Sequence, residues 1–380
     1  MSKKLITAII LIYCSIFVAS SIYVMIPVQP LLAEQFDVSL QLAALSSTMF
    51  VFPYAFGLVF FGLLADRFSL RKLLLAGMAS LSIITYLLSF SNSIYLLLFL
   101  RSVQGVLAAS FAPVTFAYCF QNFNGSFRAL VIAMINTGFL FAGVFGQIVS
   151  AFFADWISYP FVFVAFFCFY LSCFIGLFFT LNPSITGSRE QDRRIFPMIF
   201  SCISDRHLQK VYGITFFLLL TIMLFYGSFE MYVFTTWREF PYSIQLLRLI
   251  SLIGIVPAFF SSKLMNRFGA ESVLRFQLMV MVIGFSPAFF SINVTTIMIA
   301  SLLMIASTSL TIPMVVLLVG RLASQFKSTA LALYSFVLLM GATVGSMLAP
   351  AIGFPVVLVL IPIVFLVLTF FSSLLLDDNQ

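Results

Sequence analysis

The chain has 380 residues, of which 62% are hydrophobic and only 8% charged, with a formal net charge of +7 at pH 7. Soluble domains average roughly 45–50% apolar and about 25% charged residues, so a soluble globular fold is excluded and an integral membrane protein is expected. The apolar runs are long and unalternated, which suits spanning helices of about 20 residues and not the roughly ten-residue alternating strands of a barrel.

Taken in order, Lys3 and Lys4 precede an apolar run from Leu5 to about Val28, too long for a signal peptide and without a small-residue cleavage site, so it reads as an uncleaved first span. Spans are expected near 5–29, 40–65, 71–90, 95–119, 128–152 and 160–181, forming an N-terminal bundle over residues 1–181. The polar stretch 182–210 then reads as a linker, with His207 solvated in it. Six further spans, near 211–235, 243–263, 272–291, 295–319, 328–349 and 354–376, form a C-terminal bundle over residues 211–380. The expected fold is all-α with 12 transmembrane helices in two six-helix bundles.

Of the 19 Lys and Arg residues, all but Arg101, Arg238 and Arg248 fall on one side if both termini are cytoplasmic. Such bias marks the cytoplasmic face, so the positive charge orients the chain and does not indicate nucleic-acid binding. Glu34, Asp37, Asp155 and Glu239 fall on the other side, with Trp156, Trp237 and Tyr242 as interface anchors. Cys14, Cys119, Cys168, Cys173 and Cys202 lack metal-ligand spacing and read as free thiols.

The halves also read as copies shifted by about 200 residues: Arg67-Phe68 recurs as Arg267-Phe268, Leu64 as Leu264 and Pro113 as Pro313. Gly138, Ala142 and Gly146 match Gly341, Gly345 and Ala349, small residues one turn apart that let helix backbones approach.

Between the second and third spans lies G-L-L-A-D-R-F-S-L-R-K, residues 62–72. It resembles the signature of the major facilitator superfamily, with Gly62, Asp66, Arg67, Arg71 and Lys72 at matching positions and Ser69 where the family usually has glycine. The second copy keeps Gly269 but carries Asn266 in place of the acid, beside Arg267. In the fourth span, Arg101, Gln104 and Gly105 are similar to the family's R-x-x-Q-G core, which the resemblance links to proton coupling. The matching tenth-span position is Ser301. The fifth-span motif of the family's antiporters is eroded, because Gly143 stands where proline is expected. The resemblance implies a twelve-helix transporter of the drug:proton antiporter type, not an enzyme, working by alternating access.

An intramembrane acid is costly and marks function by default. Glu230 in the seventh span is the clearest, with Arg248 and Arg101 as available cations; a structural Glu230–Arg248 pair is the competing reading. Asp66, at the cytoplasmic end of the second span, is expected to accept N–H groups from the start of a nearby helix, while Arg67, Arg71 and Lys72 pair with acids or carbonyl ends across the seam between halves, a latch present in one access state. Tyr23, Gln29, Asn136 and Tyr226 are candidates for lining a substrate cavity. Asn293-Val294-Thr295 matches a glycosylation sequon against a span end.

Three readings stay open. Proton-driven export of a small amphipathic compound follows from the intact R-x-x-Q-G core. Uptake of a small anionic metabolite or siderophore follows from Arg101, Arg248 and the eroded fifth-span motif. A non-transporting membrane receptor is the third. The expected partners are a small-molecule substrate, protons and the bilayer, with no cofactor, metal or nucleic acid; the expected state is a monomer in a bacterial inner membrane.

Overall fold

The computed structural model describes residues 3–182, 195–235, 237, 244–323, 326–349 and 351–377. Their regular secondary structure is entirely helical. Eleven stretches are long and apolar enough to cross a membrane, and a twelfth apolar helix has its run over Phe354–Phe370. The fold class is therefore the all-helical one expected from composition.

The first span departs from the continuous helix expected over 5–29. Helix α1 (Lys3–Ser20) stops early, residues 21–28 form successive turns, and α2 (Gln29–Gln35) follows. Pro27 has no N–H to continue the ladder and Pro30 sits at the start of α2, where proline is tolerated. Next come α3 (Leu40–Arg67), capped by the Ser39 side chain, and α4 (Leu70–Leu88). The fourth span is also interrupted: α5 (Ile94–Ala108) and α6 (Ala112–Asn122) are separated at 109–111, just before Pro113. Then follow α7 (Gly125–Trp156) and α8 (Tyr159–Thr180).

Within the expected linker, residues 183–194 lie outside the described residues, and α9 (Ile195–Ser204) is helical. Asp205 then caps α10 (Arg206–Thr235), its carboxylate accepting from the N–H groups of His207 at 2.9 Å and Leu208 at 3.1 Å. The eighth span is composite: α11 (Ile244–Ser251), a 3₁₀ segment (Leu252–Phe260) containing Pro257, and α12 (Ser261–Phe268). The chain continues through α13 (Ala270–Phe290), α14 (Val294–Leu322), α15 (Lys327–Leu348) and α16 (Phe354–Asp377). The Asn293 side chain is occupied in a capping box with Thr296 at the start of α14, which is the structural use of the sequon asparagine.

Two compact units result. One comprises Met1–Phe123, Ile135–Met198 and Phe326–Ser335; in it α3 packs along α5, and α8 covers α4 and α1. The other comprises Asn124–Met134, Ile199–Gln325 and Phe336–Gln380; in it α13 packs along α14 and α16, and α14 also meets the 3₁₀ segment, α10 and α11. Much of the phenylalanine faces outward, as on α3, where Phe52, Phe56 and Phe60 form one exposed stripe at four-residue steps.

Candidate functional site

Helix α5 begins at Ser93, whose side chain accepts the Leu96 N–H, and its register puts Arg101, Gln104 and Gly105 on the buried face. Arg101 is 1% exposed. Its Nε donates to the Ser46 carbonyl on α3 at 3.1 Å, its Nη2 to the Ser21 carbonyl at 2.9 Å, and its Nη1 to Gln104 Oε1 at 2.5 Å. The guanidinium also stacks over the Phe50 ring at 4.4 Å. Gln104 is fixed in turn by donating to Thr85 Oγ1 at 2.7 Å. The Ser21 carbonyl is available because α1 has ended at Ser20, so the interrupted first span creates the acceptor that the cation needs. A side chain at Gly105 would overlap the Phe50 carbonyl, which explains why α5 can lie so close to α3. Among the described residues no carboxylate pairs with Arg101. A guanidinium has five N–H donors, and the three bonds above leave two of them uncommitted. The Arg101 guanidinium is thus held inside the bundle of helices by α3 and the end of α1.

A second arrangement lies at the Arg67 end of α3. Asp66 accepts from the Ser328 N–H at 3.2 Å, the Thr329 N–H at 3.0 Å and the Thr329 hydroxyl at 2.6 Å. A carboxylate here meets the unpaired N–H groups and the positive dipole end of α15, acting as a cap supplied from another helix. One turn earlier, a side chain at Gly62 would collide with Ala332, so glycine is required for α15 to come this close. Arg71 donates to the Phe178 carbonyl near the end of α8 at 3.2 Å, while Arg67 and Lys72 are exposed.

The second copy is built differently. Asn266 donates to Ser126 in the first turn of α7 at 2.6 Å, and Arg267 lies over Phe268 at 5.2 Å. Gly269 closes this turn at φ +80°, whereas Ser69 closes the first at φ −59°, so the missing glycine of the first copy costs no backbone strain.

The position matching Arg101 is also polar. Ser301 on α14 bonds the Tyr226 hydroxyl on α10 and the Ser251 hydroxyl on α11, each at 2.6 Å. The fourth, first and second spans of one half and the tenth, seventh and eighth of the other thus each meet at one buried polar point. Tyr226 belongs to that point, and Gln29 donates to the Ser47 hydroxyl at 3.0 Å. Asn136 is buried on α7, and the Tyr23 ring faces Gly143.

Glu230 and Arg248 lie on α10 and α11, but their side chains are outside the described residues. Arg238, Glu239 and Tyr242 are likewise outside them. Glycines of the fifth and eleventh spans lie at close helix contacts, where a side chain would meet the neighbouring helix. Gly138 and Gly146 take α1 at Ser15 and Ser20; Gly341 and Gly345 take α10 at Phe216 and Leu220. His207 is half-buried in the first turn of α10, where its Nδ1 has no hydrogen-bond partner among the described residues and the side chain borders a cavity of about 30 Å³ with Glu271 and Ser372. Sequence reading missed Ser46, Phe50, Thr85, Ser328 and Thr329, which carry no motif of their own.

Against known families, the sequence model of the Major Facilitator Superfamily matches residues 9–291. The chain belongs to the Major Facilitator Superfamily. It is a membrane transporter and not an enzyme. Among curated relatives, an uncharacterized transporter of this superfamily from Bacillus subtilis, YybF, is 23% identical over 70% of this chain and 67% of its own length. The multidrug resistance protein MdtG of Proteus mirabilis is 26% identical over 58% of this chain and 56% of its own. The chloramphenicol resistance protein CraA of Acinetobacter baumannii is 28% identical over 40% of this chain and 37% of its own. The matches span about two thirds of the length of the first of these superfamily relatives and less of the others. The crystal structure of the human organic anion transporter MFSD10 superposes with a TM-score of 0.77 over 98% of this chain and 100% of its own at 14% identity, which establishes the superfamily fold.

Proposed function

We propose that this transporter exports a small amphipathic compound across the inner membrane in exchange for protons, with a bundle over 1–181 and a bundle over 211–380 alternating about the linker 182–210. Both termini face the cytoplasm in this reading, as the Lys and Arg bias suggests. The observation that carries it is Arg101: a fully buried cation, tied to the interrupted first span, with no carboxylate partner and two uncommitted N–H donors among the described residues. Such a group is expensive to bury for packing alone. Its free donors can receive an acid when that acid is deprotonated and release it when protonated, which links proton binding to movement of the first span. Glu230 is the acid proposed for this role. Asp66 with α15, and Asn266 with α7, are the contacts proposed to form and break between access states. Tyr23, Gln29, Asn136 and Tyr226 are proposed to border the substrate path. The names of MdtG and CraA favour export of a drug-like compound.

Uptake of an anionic compound is the second reading, favoured by the same free donors on Arg101 and by Gly143 in the fifth-span motif. Flux into or out of proteoliposomes under a proton gradient of either sign separates the two. Chloramphenicol moving outward only when protons move inward supports export; flux indifferent to the gradient removes proton coupling. Glu230→Gln is expected to abolish driven flux and leave counterflow exchange, and driven flux at the unmodified rate removes Glu230 from the mechanism.

A further inference from the structure

The composite eighth span ends in a groove of about 640 Å³ bordered by Phe260, Lys263, Leu264, Asn266, Arg267 and Phe268. Lys263 and Arg267 are both exposed, and neither has a hydrogen-bond or ion-pair partner among the described residues. No acid borders the groove among them. Asn266 spends its amide N–H on Ser126, which leaves its carbonyl oxygen as an acceptor. Leading into the groove is the 3₁₀ segment, whose three-residue repeat aligns every third side chain. Ile253, Val256 and Phe259 are 63%, 52% and 58% exposed, and Phe260 continues the strip at 52%. The spanning stretch Leu249–Phe268 finishes at this place.

An exposed apolar strip that runs down a span and ends at two cations with no ion-pair partner among the described residues matches one kind of molecule in its two parts. We propose that the groove binds an anionic phospholipid. Its phosphate sits between Lys263 and Arg267, a headgroup hydroxyl meets the Asn266 carbonyl oxygen, and one acyl chain lies along Ile253, Val256 and Phe259. Cations that only orient the chain in the membrane need no adjoining groove and no aligned strip. Basic clusters at the membrane surface attract anionic headgroups generally; the strip and the groove are what make this one a site.

The test uses the whole chain, purified in a neutral detergent, with phosphatidylglycerol, phosphatidylcholine or inorganic phosphate added, read by native mass spectrometry and by thermal melting. Phosphatidylglycerol is expected to stay bound and raise the melting temperature, with phosphatidylcholine much weaker and inorganic phosphate unable to displace it. The double variant Lys263→Gln/Arg267→Gln is expected to weaken phosphatidylglycerol binding roughly 20- to 30-fold, from about one cation's share of surface attraction each. The charge-preserving Lys263→Arg/Arg267→Lys is expected to retain it. Equal binding of the two lipids to the unmodified chain overturns the proposal without recourse to any variant. Unchanged binding in the charge-removing variant also overturns it, as does displacement by inorganic phosphate, which would make this a free-anion site.

Discussion

Arg101 and Ser301 occupy matching places in the two halves and join matching spans, yet one is a cation held by carbonyls and the other a hydroxyl in a neutral trio. The Ser301 node is built of three hydroxyls, and Ser251 passes its own hydrogen on to the Leu247 carbonyl. The Arg101 node has donors left over and depends on an interrupted helix for one acceptor. A duplicated fold has kept the geometry of the junction twice and the charge once. Among the described residues the first node holds a charge that no acid neutralises, and it is the one that asks for an additional partner.

The largest effect is expected from Arg101→Ser, which copies the second node into the first. Loss of proton-driven flux by at least about a hundredfold is the expected outcome, in the range a positioned charged group contributes to proton chemistry. Arg101→Lys keeps the charge but not the fork, and its failure to restore flux would show that the joined carbonyls matter as well as the charge. Next comes Gly105→Leu, which forces α5 away from the Phe50 carbonyl. A drop in thermal stability together with loss of flux is expected, of the order of the 1–3 kcal/mol typical of overpacking.

Smaller is Asp66→Asn, which makes the first turn resemble the Asn266 turn. It keeps an acceptor but loses the charge facing the α15 N-terminus, costing about 0.5–2 kcal/mol. Asn266→Asp is the reciprocal change, and flux and melting measurements on both show whether the two turns are interchangeable. Smallest is Tyr226→Phe, which removes one hydrogen bond to Ser301 at about 1 kcal/mol. A double-mutant cycle with Ser251→Ala in a melting assay measures the coupling within this node. Tyr226→Phe abolishing flux would break the contrast between the nodes.

Helix number and class were readable because the bilayer imposes length and apolarity on every span. Candidate site residues were readable where they bring an unusual group into a span, as Arg101 does, or repeat a motif, as residues 62–72 do. Interruptions were not readable: the apolar run of the first span passes smoothly through 21–28, and only Pro27 and Pro30 signalled that backbone bonds would be surrendered there. Partners such as Ser46 and Thr329 offer a backbone group or a common hydroxyl, which the sequence cannot single out. The helical start at residue 206 was hidden by charged neighbours that read as a linker, whereas the Asp205 cap draws His207 into α10.

The turn at 21–28 has a consequence for biogenesis. The Ser21 carbonyl finds its donor on Arg101 and the Val24 carbonyl on the Ser150 hydroxyl, so the first span leaves the ribosome with polar backbone that only the fourth and fifth spans can complete. Lipid offers no substitute donors. The first span therefore reaches its final hydrogen bonding only after Arg101 and Ser150 have been synthesised.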